Sequence, residues 1–207
     1  MQHKRRTVDD LQPMTREELL VKIRAINNIR DRALAAFIYL SGCRISEIVG
    51  KIKHIGIYQS NNNVSKRIGT AKSIEIKPLC KENLVKHEED IIVIENVPCL
   101  KWRKSLMYRN VPIRISSDND FLELFMPYYN TLPPGSQLFK ISRQRAWQII
   151  NKHLGIFTHA LIHKRCTDLV TLKGFPDQYL KQFRGWKDSR YAQTYTHLNW
   201  HDVAQKM

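Results

Sequence analysis

Ser41-Gly42-Cys43-Arg44-Ile45-Ser46-Glu47-Ile48 joins two helical segments through a glycine and places an arginine just past the break. Upstream, Ala33-Leu34-Ala35-Ala36-Phe37-Ile38-Tyr39-Leu40 is apolar almost all round. A helix without a polar face is one that the rest of its domain surrounds. Gly42 has no Cβ to clash, so it can take the left-handed backbone that ends such a helix. A new helical turn begins at Ile45-Ser46-Glu47-Ile48. Arg44 therefore stands at the exit of a buried helix, where its guanidinium either turns back into a cleft or lies on the surface. Further upstream, Thr15 and Glu18 have the spacing of a capping box, and Leu19, Leu20 and Ile23 supply the apolar face of the helix it opens.

Downstream, Tyr58 to about Lys72 reads as a solvent loop, because Gln59-Ser60-Asn61-Asn62-Asn63 has nothing to bury and Lys66, Arg67 and Lys72 keep it basic. Strand signals follow. Ile74-Glu75-Ile76 alternates, Ile91-Ile92-Val93-Ile94 is β-branched, and Arg109-Asn110-Val111-Pro112-Ile113 alternates up to a proline expected to end the ladder. The remainder reads helical: Phe121 to Tyr129, closed by Leu132-Pro133-Pro134-Gly135, then a helix from an N-cap at Ser142 to a stop at Gly155. Thr158 is expected to cap the next, which runs through Leu172. Shorter helices are expected near Asp177–Phe183 and Ser189–Leu198. The fold class that follows is α+β: a mostly helical domain with a small antiparallel β-sheet between two sets of helices.

Charge narrows the function. The chain has 207 residues, with 34 Lys and Arg against 19 Asp and Glu, a formal charge of +15. Such an excess cannot be neutralised internally, and the positive field it makes in solvent suits a nucleic-acid backbone. No apolar run approaches the roughly 18–20 residues of a spanning helix, so no membrane partner is expected. The basic start Met1-Gln2-His3-Lys4-Arg5-Arg6 lacks an apolar signal core, and residues 1–12 read as a flexible basic arm. Cys43, Cys80, Cys99 and Cys166 form no paired motif, which argues against zinc ribbons and disulfide scaffolds and for reduced thiols in an intracellular, cytoplasmic protein.

Three further stretches carry chemistry-bearing side chains. Lys104-Ser105-Leu106-Met107-Tyr108-Arg109-Asn110-Val111-Pro112 puts a lysine near a hairpin tip, although basic tips are common. Thr158-His159-Ala160-Leu161-Ile162-His163-Lys164-Arg165 puts His159 in a first helical turn. His159 and His163 share a face, but no third ligand stands at a helpful spacing, so no metal site is expected there or at His197 and His201. Phe183-Arg184-Gly185-Trp186-Lys187-Asp188-Ser189-Arg190-Tyr191-Ala192-Gln193-Thr194-Tyr195-Thr196-His197 ends in a tyrosine that is either a packed ring or a nucleophile.

In this order and spelling the four stretches resemble the tyrosine recombinases, the family of phage-type and mobile-element integrases. Its first box, T-G-L-R-[IV]-S-E-[LI], is matched by Ser41 to Ile48 with Cys43 in the Leu place. Its hairpin box, K-x-x-x-x-R-x-V-P, fits Lys104 to Pro112. Its third box is H-x-L-R-H, and its last places a tyrosine nine residues after G-[HW]; here Trp186 plus nine is Tyr195. The resemblance runs from about Pro13 onward. It implies a catalytic domain over 13–207, with the family's N-terminal DNA-clamping domain absent.

The resemblance also implies an activity: cleavage and rejoining of double-stranded DNA through a 3′-phosphotyrosyl link, without metal or other cofactor, by a homo-oligomer that is a tetramer in synapsis. It implies roles too. Tyr195 would be the nucleophile, Arg44 the clamp on the non-bridging oxygens, His159 the base or proton shuttle, Lys104 (or Lys101, since hairpin registers slip) the acid, and Trp186 a packing and hydrogen-bonding neighbour of the phosphate. The sequence departs from the pattern at Ile162, where the family has its second arginine. Arg165, about one turn on, either lends its guanidinium instead or serves elsewhere. The departure leaves two alternatives to a recombinase: a DNA-binding relative impaired in catalysis, or a type IB topoisomerase-like enzyme.

Overall fold

The computed structural model describes residues 14–61, 64–100 and 107–195, with the backbone alone for most of 53–72. Three helices come first: α1 (Arg16–Arg24), α2 (Ile29–Ser41) and α3 (Ile45–Ile48). Five strands follow, β1 (Lys51–Asn61), β2 (Val64–Ile76), β3 (Leu84–Glu88), β4 (Ile91–Cys99) and β5 (Met107–Arg114). Then come α4 (Ile115–Thr131), α5 (Arg143–Leu154), α6 (Thr158–Thr171) and α7 (Asp177–Arg184), and two 3-10 turns, Ser189–Tyr191 and Gln193–Tyr195. This is the expected α+β architecture, mostly helical with small antiparallel sheets.

α2 is the hub. Residues Ala33 through Leu40 are all fully buried, as their unbroken apolar run requires. The helix packs on α1, α4, α5, α6 and β5. Phe37 sits between Phe125 and Phe139, with ring centroids 5.0 and 5.8 Å away, and Tyr39 stacks on Phe121 at 4.2 Å. Each such side chain contributes roughly 1.5–3 kcal/mol by leaving water. Polar groups that enter this core are paired: the Tyr39 hydroxyl donates to Asp168 at 2.7 Å.

Several helix ends follow local rules. Thr15 and Glu18 form the full capping box at α1. Ser142 caps α5 by accepting from the Arg145 N–H, and Gly155 ends that helix with left-handed backbone. Three expectations need correction. Phe157, not Thr158, is the N-cap of α6, and Thr158 is its first helical residue. The helix read as Phe121 to Tyr129 starts at Ile115, because its cap comes from outside its own sequence. Asp90, in the β3–β4 turn, accepts from the Ser116 N–H at 2.6 Å and from its hydroxyl at 2.8 Å. The helix expected over Ser189–Leu198 is, as far as Tyr195, a pair of 3-10 turns.

The sheets depart further. The stretch from Tyr58 to Lys72 is not a loop. It forms most of a long antiparallel hairpin in which Tyr58 faces Arg67, Gln59 faces Lys66 and Asn61 faces Val64. Backbone groups alone sustain a ladder, so polar composition does not exclude one. Pro112 does not end its ladder either; it lies inside β5, opposite Val93. β5 is an edge of the β3-β4-β5 sheet, where a residue without an N–H is tolerated. The expected basic arm, residues 1–12, lies outside the described residues.

Candidate active site

Gly42 ends α2 with φ +56, and Arg44 opens α3 as its N-cap. The carboxylate of Glu47, fully buried, takes the Arg44 backbone N–H on one oxygen and the Arg44 Nη1 on the other, both at 2.8 Å. The same carboxylate accepts from Arg109 Nη2 at 3.1 Å. Burial alone would push the Glu47 carboxyl up, but Arg109, Arg44 and Arg184 outweigh it and hold it below its ordinary range. Arg109, the arginine of the hairpin stretch, is therefore a strut. Its Nε donates to the Phe183 carbonyl at 3.0 Å, tying β5 to the end of α7.

Two glycines let these parts touch. A Cβ at Gly42 would lie 2.9 Å from the Phe183 ring. At Gly185, where φ is +60, a Cβ would lie 2.5 Å from Cys99 Sγ and 2.9 Å from Arg109 Cδ. The first and last of the four stretches are thus in direct contact, although about 140 residues apart.

Tyr195 closes the cluster. Its hydroxyl lies 2.6 Å from His163 Nδ1, and its ring stacks on Trp186 with centroids 5.9 Å apart and planes 13° from parallel. The ring of His163 meets that of His159 edge-on at 4.8 Å, as the i,i+4 spacing dictates. Burial pushes the Tyr195 phenol up and the Cys166 thiol adds to this, while Arg184 and Arg44 pull it down; the net shift is upward. Burial, and then Arg184, lower the imidazole of His163. It is neutral near pH 7, so its Nδ1 can accept the phenol's hydrogen.

Beside this cluster lies an open cleft of about 520 Å³, lined by Arg44, Arg143, Gln144, Trp147, His159 and Ile162 among others. Cations and an exposed tryptophan on one wall are what a phosphate and its nucleoside need. Among the described residues, no group of three or more His, Cys, Asp or Glu side chains could hold a metal ion, and no helix is long and apolar enough to cross a membrane.

Residues 11–201 match the model of the phage integrase family. The chain belongs to that family. Among solved structures it is similar to a XerH site-specific recombinase bound to palindromic difH substrate in a post-cleavage complex, at 16% identity and TM-score 0.53, with 92% of this chain and 50% of that chain covered. It is also similar to the Tn1549 transposon integrase in complex with circular intermediate DNA, at 16% identity and TM-score 0.56, covering 95% of this chain and 64% of that chain. XerA recombinase is similar at 17% identity and TM-score 0.53, covering 100% and 65%. At these identities the likeness is one of fold, and the chain spans half to two thirds of the length of those recombinases. No curated protein matches the chain in sequence.

Set against the integrase boxes, the geometry sorts the expected residues. Arg44 and His159 line the cleft, and Trp186 and Tyr195 lie together beside it. Lys104 and Lys101 fall outside the described residues, as do His197 and His201. Arg165, the expected stand-in for the second arginine, points into the fold. It is 2% exposed, and its fork makes two 2.8 Å bonds to Asp118 with its plane 5.3 Å from the Tyr39 ring, so its charge is already used inside the fold. Ile162 occupies the cleft wall at the departed position. Two residues at the site carry no role in the sequence reading: His163, weighed only as a metal ligand, and Arg184. The third box, H-x-L-R-H, ends on the first of them; no motif marks the second.

Proposed function

We propose that this integrase-family chain cleaves and rejoins duplex DNA site-specifically, with Tyr195 as nucleophile. The observation that carries the reading is the Tyr195 hydroxyl held 2.6 Å from His163 Nδ1, beside the cleft that Arg44 and His159 line. A neutral phenol with a raised pKa is a poor nucleophile and needs a base in place. In the proposed step the phenolic oxygen attacks phosphorus and the P–O5′ bond breaks. The phenol's proton passes to His163 Nδ1, and the departing 5′-oxygen takes one from Lys104. Arg44 binds the non-bridging oxygens while Glu47 fixes its orientation. His159, at the cleft wall, faces the same phosphate. A 5′-hydroxyl from another strand reverses the step, because the phosphotyrosyl ester preserves the bond energy. Each site cleaves one strand, so exchange between two duplexes calls for four copies.

A catalytically impaired DNA-binding relative is favoured by one observation, Ile162 on the cleft wall with Arg165 committed to Asp118. Covalent capture separates the two readings. A pool of nicked duplexes of randomised sequence is incubated with the protein and run on a denaturing gel. A strand cleaver gives a protein–DNA adduct that Tyr195→Phe abolishes while still binding the pool. A pure binder gives none with either protein.

A further inference from the structure

The described residues bury three arginines. Arg109 is 8% exposed and has the Glu47 carboxylate; Arg165 is 2% exposed and has Asp118. Arg184, also 2% exposed, makes no ion pair among the described residues: the Glu47 carboxylate, whose pull it feels, is bonded to Arg44 and Arg109, and its own Nε and Nη1 have no hydrogen-bond partner there. A buried guanidinium whose nitrogens lack partners is costly, and an arriving anion would offset that cost. Its place says which anion. Arg184 is the last residue of α7, with Gly185 turning the chain behind it. Its Nη1 lies 3.5 Å from where a Gly42 Cβ would be, two residues from Arg44. Its plane sits 5.7 Å from the centre of the Trp186 ring, whose stacking partner is Tyr195.

We propose that Arg184 is the second guanidinium of the phosphate site, reaching the scissile phosphate from the end of α7 where Ile162 cannot from α6. The proposal rests on the strand-cleavage reading above. Tyr195 and Arg184 are both buried, at 7% and 2% exposed, and the Trp186 ring lies against both. The charge of Arg184 also acts on both members of the Tyr195–His163 pair, pulling the phenol and the imidazole down.

The test compares Arg184→Met, of similar length but uncharged, with wild type on two nicked duplexes. These are identical in a sequence recovered from covalent capture, except that one carries a methylphosphonate at the scissile position. The methyl group removes the charge that a guanidinium would bind. On the phosphate the variant should form adduct at least ~100-fold more slowly, the scale of a lost oxyanion donor. On the methylphosphonate the penalty should shrink at least tenfold. Arg184→Lys, which keeps a charge but not the fork, should fall between them and serves if the methionine variant does not fold. A penalty equal on both substrates, or a rate within threefold of wild type on phosphate, overturns the proposal.

If wild type forms no adduct, the strand-cleavage reading has failed, and a second readout still decides for Arg184. Inorganic phosphate at about 50 mM should raise the Tm of wild type above that in chloride of equal ionic strength and leave Arg184→Met unmoved. The same response from both proteins removes Arg184 from any anion site.

Discussion

Arg165 and Arg184 sit on neighbouring helices, are equally buried, and differ in one thing. Arg165 has its carboxylate, bonded at both ends of the fork, with Lys173 donating to the same group at 2.9 Å. Arg184 has a tryptophan face and unpaired nitrogens. The first has its charge paired inside the fold, with only its Nε unbonded, and holds α4 to α6. The second leaves two buried nitrogens unpaired near Tyr195, with the Glu47 carboxylate shared among three arginines. Burial by itself does not tell a structural arginine from a functional one; the counter-ion does.

The comparison can be broken by removing the counter-ion. Asp118→Ala leaves Arg165 in the condition of Arg184, and should cost about 3–5 kcal/mol in urea unfolding, the usual price of an orphaned buried charge. The Asp118 carboxyl is pushed up by burial but held down further by Arg165 and Lys173. Its contribution is thus present above the ordinary 3.8 and lost as pH falls through the lower folded value, and the variant should lose that acid limb.

The field of Arg184 offers a subtler test. The imidazole of His163 lies below its ordinary 6.5, so cleavage should be flat above that pH and decline as pH falls through a lower value. Arg184→Met should move this inflection upward, and His163→Ala should slow cleavage by about 10²-fold or more. An inflection that stays put in Arg184→Met contradicts the placement of its charge beside His163.

Next in size is the frame that holds Arg184. Gly185→Ala must accommodate a Cβ 2.5 Å from Cys99 Sγ at positive φ, and should cost roughly 1–3 kcal/mol in thermal unfolding. The smallest effect belongs to an arginine of neither kind. Arg143 is exposed at the cleft. Arg143→Ala should change stability by less than about 0.5 kcal/mol while lowering the log–log salt slope of DNA binding by about one. For wild type, whose charge is +15, that slope should be steeper than about −4.

What the sequence shows follows from how local each cause is. The capping box of Thr15 and Glu18, the apolar run of α2, and the Ser142 and Gly155 bounds of α5 are set within a few residues, and all are legible. So are the four stretches, whose spelling identifies the family. The start of α4 is not legible, because Asp90 caps it from 26 positions away. The β1–β2 hairpin is hidden because its pairing uses backbone groups that composition does not describe. The roles of Arg165 and Arg184 are hidden for the same reason as each other: a spacing of one helical turn says which face a side chain is on, not which carboxylate waits there.

The central claim is that Tyr195 becomes covalently joined to DNA, and peptide mapping of the captured adduct tests it most directly. After nuclease and protease digestion, mass spectrometry should place the residual nucleotide on the peptide containing Tyr195, on the phenolic oxygen. A nucleotide on Tyr191, one turn earlier and exposed, or an adduct that persists in Tyr195→Phe, would contradict the account.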